Sequence, residues 1–366
     1  MRVALLTLTR GAVSGGYAKY LREVVPRLTG HHAVRELRVY TPPPMADLDR
    51  GYRTWPTSGA FATARWLRRE MESWQPDVVF IPSSVHISFG AIPVVTMVRN
   101  MEPLDHPFSG NSWNDGVRNL VRAALARRAC ERSARVIAVS EHVREALVSR
   151  WSVDAGKIAV VPHGVEGGGE EKAPAALADG APFVFAAGSI RPARGLEDLL
   201  GARAAIPPDY RVAIAGGVEA EAYAASLRTM HNGDERVVWL GKLSEAEMAW
   251  CFRSARAFVM TSRAEACPNI VLEALAHGSL SISTDQEPMP EFYGDSAVYY
   301  RAGDAADLQR ALGSTLALGR EESGALRDRA LLRSRLYTWQ ATVQATVSEL
   351  QKAVSYNTRL APNPGA

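Results

Sequence analysis

Short apolar runs rich in β-branched residues alternate with helix-length segments along almost the whole chain. In the first half, runs that predict buried strands span 3–8, 34–40, 78–81, 94–98, 136–139 and 158–161. In the second half, they span 183–186, 212–215, 237–240, 257–260 and 280–283. Strands that alternate with helices are typical of βαβ units and parallel sheets. The pattern therefore predicts an α/β protein with two doubly wound sheets in succession.

The domain boundaries follow from length and local composition. A chain of 366 residues exceeds the size at which one hydrophobic core usually suffices, so we expect two domains. Residues 166–175 are rich in glycine and charge, which is typical of a linker. We therefore predict a first domain over 1–165 and a second over 176–339. A last helix is predicted over 340–356, followed by a disordered tail over 357–366.

The composition is that of an ordinary globular protein, with 47% hydrophobic and 22% charged residues. No apolar run is long enough to cross a bilayer, and the apolar stretch in residues 1–10 is too short for a secretion signal. Three widely spaced cysteines fit a reducing compartment and neither a disulfide framework nor a zinc site. We therefore expect a cytoplasmic protein.

Positive charge is concentrated in the first half of the chain. Residues 1–165 hold 22 basic against 14 acidic residues, whereas the remainder holds 20 against 25. Part of the excess lies on one predicted helix, at Arg118, Arg122, Arg127, Arg128, Arg132 and Arg135. These arginines form either a solvated helix face or a contact for an anionic membrane or acceptor. Nucleic acid is disfavoured, because no aromatic residues or binding motif accompany the charge.

The segment from Glu265 to Glu273 has residue types that packing alone does not explain. From Ile270 to Ala276 every residue except Glu273 is apolar, so a helix here would enclose one carboxylate. Pro268 suits the first helical position. The amides of Asn269, Ile270 and Val271 would then point out of the helix end, which is an anion site. This arrangement fits a ligand with both phosphate and hydroxyl groups.

Other polar residues follow predicted strands, where ligands of open α/β sheets bind. Gly15 and Gly16 precede the first helix, without the GxGxxG pattern of a NAD site. Arg191 and Arg194 lie in a glycine-flanked turn that suits a diphosphate, although a solvated surface turn is the alternative. The candidates for binding the acceptor are His86, Asn100 and Glu102. Arg99 also follows a strand, where it would either meet a ligand or form a structural ion pair with Glu102. Cys267 has no adjacent base and is expected to be a small apolar residue rather than a nucleophile.

Together these motifs resemble the retaining nucleotide-sugar glycosyltransferases of the GT-B fold, specifically family 4 (group 1). The resemblance covers nearly the whole chain and is strongest from Ala257 through Glu265 and Glu273 to Gly278. It implies two Rossmann-like domains that face a central cleft, with the last helix packed back on the first domain. It also implies transfer of a hexose-type sugar, most readily from a UDP-sugar, to an acceptor hydroxyl, with no cofactor and no metal.

The resemblance also assigns roles to matching residues. Glu265 and the Cys267 amide would hold the donor sugar. The amides that follow Pro268, at Asn269 and Ile270, would hold the distal phosphate. Glu273 would bind the ribose hydroxyls. Arg194 and Gly16 would contact the diphosphate, and Lys242 and Leu243 would lie against the base. The expected catalytic residues are Glu265, Arg99 and Arg194; the expected donor-binding residues further include Gly15, Ser189, Arg191 and Pro268.

Two departures keep other readings open. Many family members carry a basic residue where Ser189 stands, so Arg191 could complete the diphosphate clamp here. Many also carry a histidine where Arg99 stands. A non-catalytic nucleotide-sugar-binding subunit would bind donor without transfer, and a GT-B-fold epimerase would convert donor without acceptor. The acceptor stays open among polysaccharide, lipid-linked glycan and natural product, with a slight preference for a phosphate-bearing or membrane-associated one.

Overall fold

The computed structural model describes residues 1–8, 15–42, 52–55, 59–101 and 113–360. Its strands are β1 Arg2–Leu6, β2 Glu36–Thr41, β3 Arg53–Thr54, β4 Val78–Ile81, β5 Val94–Val98, β6 Arg135–Ala138, β7 Ile158–Val160, β8 Phe183–Ala187, β9 Arg211–Ala215, β10 Val237–Gly241, β11 Ala257–Met260, β12 Ser281–Thr284 and β13 Ala297–Tyr300. Its α-helices are α1 Gly15–Thr29, α2 Gly59–Trp74, α3 Trp113–Arg132, α4 Glu141–Trp151, α5 Leu196–Ala202, α6 Glu221–His231, α7 Glu245–Ser254, α8 Asn269–Ala276, α9 Met289–Tyr293, α10 Ala305–Leu316, α11 Arg320–Ser334 and α12 Trp339–Leu360.

The described residues form two compact units. The first contains residues 1–101, 120–164 and 339–360, and the second contains 113–119 and 165–338. The strands of the first unit form a parallel sheet in the order β3-β2-β1-β4-β5-β6-β7. Those of the second form a parallel sheet in the order β10-β9-β8-β11-β12-β13. The predicted fold class, two doubly wound α/β sheets, is confirmed.

Every predicted strand is present, with ends displaced by at most two residues. The sequence pattern missed β3 and β13. β3 has only two residues, both exposed, so it carries no apolar signal. β13 lies at the edge of the second sheet beside β12, and its middle residues are only half-buried. Edge strands that pack on one side lack the continuous apolar run that marks a buried parallel strand.

In the first unit the last helix packs against α1. The ring of His163 lies 5.0 Å from the ring of Tyr20 and 6.1 Å from that of Trp339, and all three side chains are buried. The helix continues to Leu360, so the predicted start of the tail at residue 357 is wrong by four residues. Once one face is anchored, each added residue gains a backbone hydrogen bond, which extends the helix into polar sequence.

In the second unit the sheet is covered on both faces. Phe185, Phe258 and Leu272 belong to the apolar cluster on one side, and Val184, Val259 and Leu199 to the cluster on the other. Residues alternate between the two clusters along β8 and β11 because successive strand side chains point to opposite faces.

Candidate active site

The candidate site of the second unit lies where the strand order of its sheet reverses. β8 pairs with β11, and the chain after β8 continues on one side of this pair while the chain after β11 continues on the other. Ligands of doubly wound sheets bind at such a switch point, outside the carboxyl ends of the strands. The loops that follow β8 and β11 carry Arg194 and Glu265, respectively.

Arg194 and Glu265 form a salt bridge between these two loops. Arg194 Nη1 donates to Glu265 Oε1 and, at 2.9 Å, to Ser262 Oγ. The two side chains are only 18% and 12% exposed, so the pair is screened from solvent much more than a surface ion pair. Arg194 Nε is buried and has no hydrogen-bond partner among the described residues.

Backbone contacts hold the same two loops together. Thr261 Oγ1 donates to the Arg194 carbonyl at 2.6 Å, and the Arg263 amide donates to the Ala193 carbonyl at 2.9 Å. Gly195 has a φ of 60°, and a Cβ there would lie 2.5 Å from the Thr261 carbonyl oxygen. Glycine is therefore required at this turn for both its backbone conformation and the close approach.

A buried carboxylate network, which the sequence analysis missed, supports the β11 loop. Arg263 contacts Glu197 at 2.8 Å and Asp198 at 3.0 Å, both in the first turn of α5. Asp198 is 3% exposed and also accepts from the Gly303 amide at 2.9 Å and the Tyr300 hydroxyl at 3.2 Å. Its position among the leucines that follow Gly195 was the available signal, because a buried carboxylate needs several partners.

The glycine pair after β9 is a second feature that the sequence analysis missed. Gly216 has a φ of 149°, and a Cβ there would lie 1.8 Å from the Gly188 carbonyl oxygen. The Gly217 carbonyl accepts from the Ile190 amide at 2.9 Å, while a Cβ on Gly217 would lie 2.6 Å from Lys242 Cε. These contacts bring the loops after β8, β9 and β10 together at one edge of the sheet.

The structure corrects the predicted start of the helix that carries Glu273. Pro268 is the N-cap residue, not the first helical residue, and α8 begins at Asn269. The Pro268 carbonyl accepts from the Val271 amide at 2.9 Å, so this amide is not offered to a ligand. The Ile270 amide lies one residue before the donor of that hydrogen bond, at the amino end of α8. Glu273 is half-buried rather than enclosed, while Val271, Leu272, Ala274, Leu275 and Ala276 are buried.

The remaining donor-side candidates lie on the same edge. Arg191 precedes the turn that holds Arg194, and its Nε lies 3.8 Å from a Glu219 carboxylate oxygen. Ser189 is half-buried, Lys242 is exposed, and Leu243 packs against the apolar cluster that contains Leu272. Cys267 is a half-buried free thiol that packs against the same cluster, in keeping with a small apolar role.

In the first unit, Arg99 directly follows β5, at the carboxyl ends of the strands. β5 is the neighbour of β4, and the strand order reverses between β1 and β4. Its guanidinium carbon lies 3.6 Å from the centre of the Tyr17 ring, and its Nε donates to the Pro82 carbonyl at 3.1 Å. Burial lowers the pKa of Arg99, but a guanidinium stays protonated at neutral pH. Gly15 and Gly16 open α1, directly before Tyr17.

The acceptor-side candidates do not form one group. Asn100 follows Arg99 and is exposed, and Glu102 lies outside the described residues. His86 contacts Ser133, which lies two residues before the start of β6, with 3.2 Å between His86 Nδ1 and the Ser133 hydroxyl. His86 therefore does not lie with Arg99 and Asn100 at the carboxyl ends of the strands. The loop between β4 and β5 must return across the sheet to start a parallel strand, and it carries His86 towards the amino ends.

Comparison with known proteins identifies the family. The model described as Glycosyltransferase Family 4 matches residues 14–166, and the model described as Glycosyl transferases group 1 matches residues 181–317. The chain belongs to the GT-B glycosyltransferases of the family 4 (group 1) type. This glycosyltransferase is 26% identical over 249 residues to D-inositol 3-phosphate glycosyltransferase of Mycolicibacterium gilvum. The match covers 64% of the chain but only about half (55%) of that relative's length.

Solved structures show the same fold for this glycosyltransferase. HepE (Alr3699) of Anabaena, in complex with UDP and glucose, superposes with a TM-score of 0.76 at 16% identity, covering 96% of this chain and 99% of that one. Sucrose-phosphate synthase of Thermosynechococcus elongatus gives a TM-score of 0.75 at 17% identity, covering 97% and 99%. At such identities the likeness establishes the GT-B fold and nothing about substrates.

Two further findings concern metals and membranes. In the part of the chain that the structure describes, no group of three or more His, Cys, Asp or Glu side chains is arranged to hold a metal ion. Within the same residues, no helix combines the length and apolar character needed to span a bilayer.

Proposed function

We propose that this glycosyltransferase moves a hexose-type sugar from a UDP-sugar to an acceptor hydroxyl, with retention of anomeric configuration. The observation that carries the proposal is the partly buried pair of Arg194 and Glu265 at the switch point of the second sheet. It places a cation with an unused donor and a carboxylate side by side, as a diphosphate attached to a hydroxylated sugar requires. The UDP complexes of HepE support the choice of nucleotide.

In this proposal the second unit binds the donor. Arg194 and the amino end of α8 supply positive charge and N–H groups to the diphosphate. Glu265 accepts hydrogen bonds from the sugar hydroxyls, and Glu273, one turn into α8, accepts from the ribose hydroxyls. Lys242 and Leu243 lie against the base. The negative charge that develops on the leaving diphosphate is stabilised by groups that are already in place, which lowers the barrier without reorganisation.

The first unit then binds the acceptor, and Arg99 positions the reacting groups near the sugar. As a permanently protonated group it cannot act as a base, so the leaving diphosphate is proposed to accept the proton of the incoming hydroxyl. Arg99 is held by the Tyr17 ring and the Pro82 carbonyl, which fixes its direction. A rigid charge in a partly desolvated position stabilises a transition state more effectively than a mobile one.

Helix α3 supports the further proposal that the acceptor is presented at an anionic membrane surface. Four of its apolar side chains are largely exposed: Val117 by 41%, Leu120 by 49%, Val121 by 54% and Leu125 by 62%. Such exposure is unusual for four neighbouring apolar residues. Arginines lie on the same helix, at Arg118, Arg122, Arg127, Arg128 and Arg132. An exposed apolar stripe flanked by arginines is typical of helices that lie in the membrane interface.

The test of the donor assignment is a thermal-shift panel of UDP-, GDP-, ADP- and dTDP-sugars, because a ligand that binds the folded state raises the melting temperature. The stabilising donor is then incubated with candidate hydroxyl acceptors, and the anomeric configuration of the product is read by NMR. We expect UDP-sugars to stabilise the protein and the product to retain the donor configuration. Conversion of the donor without acceptor would indicate an epimerase, and binding with neither transfer nor hydrolysis a non-catalytic subunit.

A further inference from the structure

The first unit contains a cavity of about 1000 Å³ that the proposed reaction does not use. Pro93 and Val94 at the start of β5, Arg135 at the start of β6 and Gly156 just before β7 line one side. The other side is formed by residues of α12, which are Ser348, Gln351, Lys352, Ser355 and Tyr356. All strands of this sheet are parallel, so the cavity lies at the edge opposite the carboxyl ends that carry Arg99.

Four cationic side chains line the cavity, and two of them share one buried carboxylate. Glu349 is 2% exposed and lies 2.6 Å from Arg135 Nη2 and 2.6 Å from Lys352 Nζ. One negative charge thus faces two positive charges. These contacts hold the start of β6 and the last helix in fixed positions, so the cavity wall is a built surface rather than a set of independent side chains.

The other two cations, Arg132 and Lys157, form no salt bridge with any carboxylate of the described residues. Lys157 Nζ donates instead to the carbonyls of Glu131 at 2.8 Å and Ser133 at 3.4 Å. The two carboxylates in the cavity wall, Glu131 and Asp154, attract Lys157 without forming a salt bridge with it. Glu131 contacts Arg127 Nε at 2.8 Å, and Asp154 accepts from the Gly156 amide at 2.9 Å. The balance of charge around the cavity is therefore positive.

His86 lies beside these two cations. Its Nδ1 is 3.2 Å from the Ser133 hydroxyl oxygen, and that hydroxyl donates to the Ala129 carbonyl at 2.8 Å. The oxygen therefore accepts from His86 Nδ1–H, which leaves Nε2 able to take up a proton. Burial, and then the charges of Arg132 and Lys157, lower the pKa of His86. An anion bound between the two cations would remove part of that repulsion and raise the His86 pKa.

We propose that this cavity is a second ligand site, which binds a small soluble phosphomonoester such as a sugar phosphate. Arg132 and Lys157 contact the phosphate, His86 becomes a third cationic donor, and the hydroxyl and amide groups of α12 face the remainder of the ligand. A phosphomonoester carries close to two negative charges at neutral pH, which matches two cations that form no salt bridge better than a single carboxylate does. Because the ligand bridges β6 and α12, its binding also stabilises the attachment of the last helix.

The test follows the His86 ring by NMR of imidazole-labelled protein, with the signal assigned by His86→Gln. Inorganic phosphate, glucose 6-phosphate and monomeric dihexanoylphosphatidic acid are titrated separately, each with and without saturating UDP. We expect the two soluble phosphates to shift the His86 signal and raise its pKa, with UDP leaving both effects unchanged. Response to the lipid alone, loss of the response in UDP, or no response to any phosphate would overturn the proposal.

A matched pair of charge reversals locates the site. Arg132→Glu should weaken glucose 6-phosphate binding at least about tenfold, because it replaces a charge-assisted contact with repulsion. Arg69→Glu changes the net charge equally on α2 of the same unit, on an exposed residue outside the cavity wall, and should leave the affinity unchanged. Equal effects of the two variants, with equal melting temperatures, would show a general charge effect and contradict the site.

Discussion

Arg194 and Glu265 lie 71 residues apart in sequence, and their side chains meet at the switch point of the second sheet. The guanidinium uses one nitrogen for both Glu265 and Ser262, while its buried Nε has no partner among the described residues. A bound diphosphate would attract the same guanidinium and compete with Glu265 for it. We infer that donor binding loosens this salt bridge and makes the Glu265 carboxylate available to the sugar.

Arg194→Lys should lower turnover by about 100-fold, the scale expected for loss of one well-placed donor to a developing charge. Lysine keeps the positive charge but lacks the planar fork that contacts carboxylate and diphosphate together. Steady-state kinetics with the stabilising UDP-sugar give the measurement. Arg253→Lys, at a surface pair with Glu171, is the control. Wild-type turnover in Arg194→Lys would contradict the proposed role.

Substitutions of Glu273 and Glu265 should weaken the binding of different ligands. Glu273→Gln should weaken binding of UDP itself by at least about tenfold, since a hydrogen bond to a charged group contributes about 1.5–3 kcal/mol. Glu265→Gln should leave UDP affinity intact but weaken UDP-sugar binding and slow transfer. Calorimetry with UDP and with a UDP-sugar measures both, and Glu321→Gln, at the exposed start of α11, serves as the control. The assignment is wrong if both variants lose affinity for UDP equally.

Gly216→Ala should destabilise the second unit by more than about 3 kcal/mol, because the added Cβ would overlap the Gly188 carbonyl and force a strained φ. Gly313→Ala, inside α10 with no atom near its added Cβ, should instead stabilise the protein by about 0.5–1 kcal/mol. Chemical denaturation of the two variants gives the comparison. Opposite signs are the expected result; similar small effects would contradict the close approach of β8 and β9.

Leu120→Gln/Leu125→Gln should reduce sedimentation of the protein with vesicles that contain anionic lipid, because it removes apolar area from the exposed stripe of α3. Raising the salt concentration should weaken binding further, since the arginines act by charge. Leu332→Gln/Leu336→Gln removes two leucines of similar exposure, 58% and 64%, from the second unit and is the control. Unchanged vesicle binding in the α3 variant would exclude this surface.

The sequence by itself determined the two-sheet architecture and most strand positions. A parallel strand that is buried on both faces is apolar along most of its length, and runs such as 78–81 and 257–260 therefore predicted strands. It also indicated that Glu265 and Arg194 follow strands and that Glu273 lies in an otherwise apolar helical run, where a charged residue is unusual. β3 and β13 were missed because short or edge strands do not need such runs.

Only the tertiary structure decided which polar residues meet. The salt bridge of Arg194 and Glu265, the partners of Asp198 and the requirement for Gly216 depend on loops that are distant in sequence and adjacent at one sheet edge. His86 shows the reverse case: it follows a strand as Arg99 does, yet its loop carries it to Ser133 at the opposite edge. Local sequence sets the period and ends of each element, whereas the path between elements, and hence the grouping of side chains, is set by how the sheet assembles.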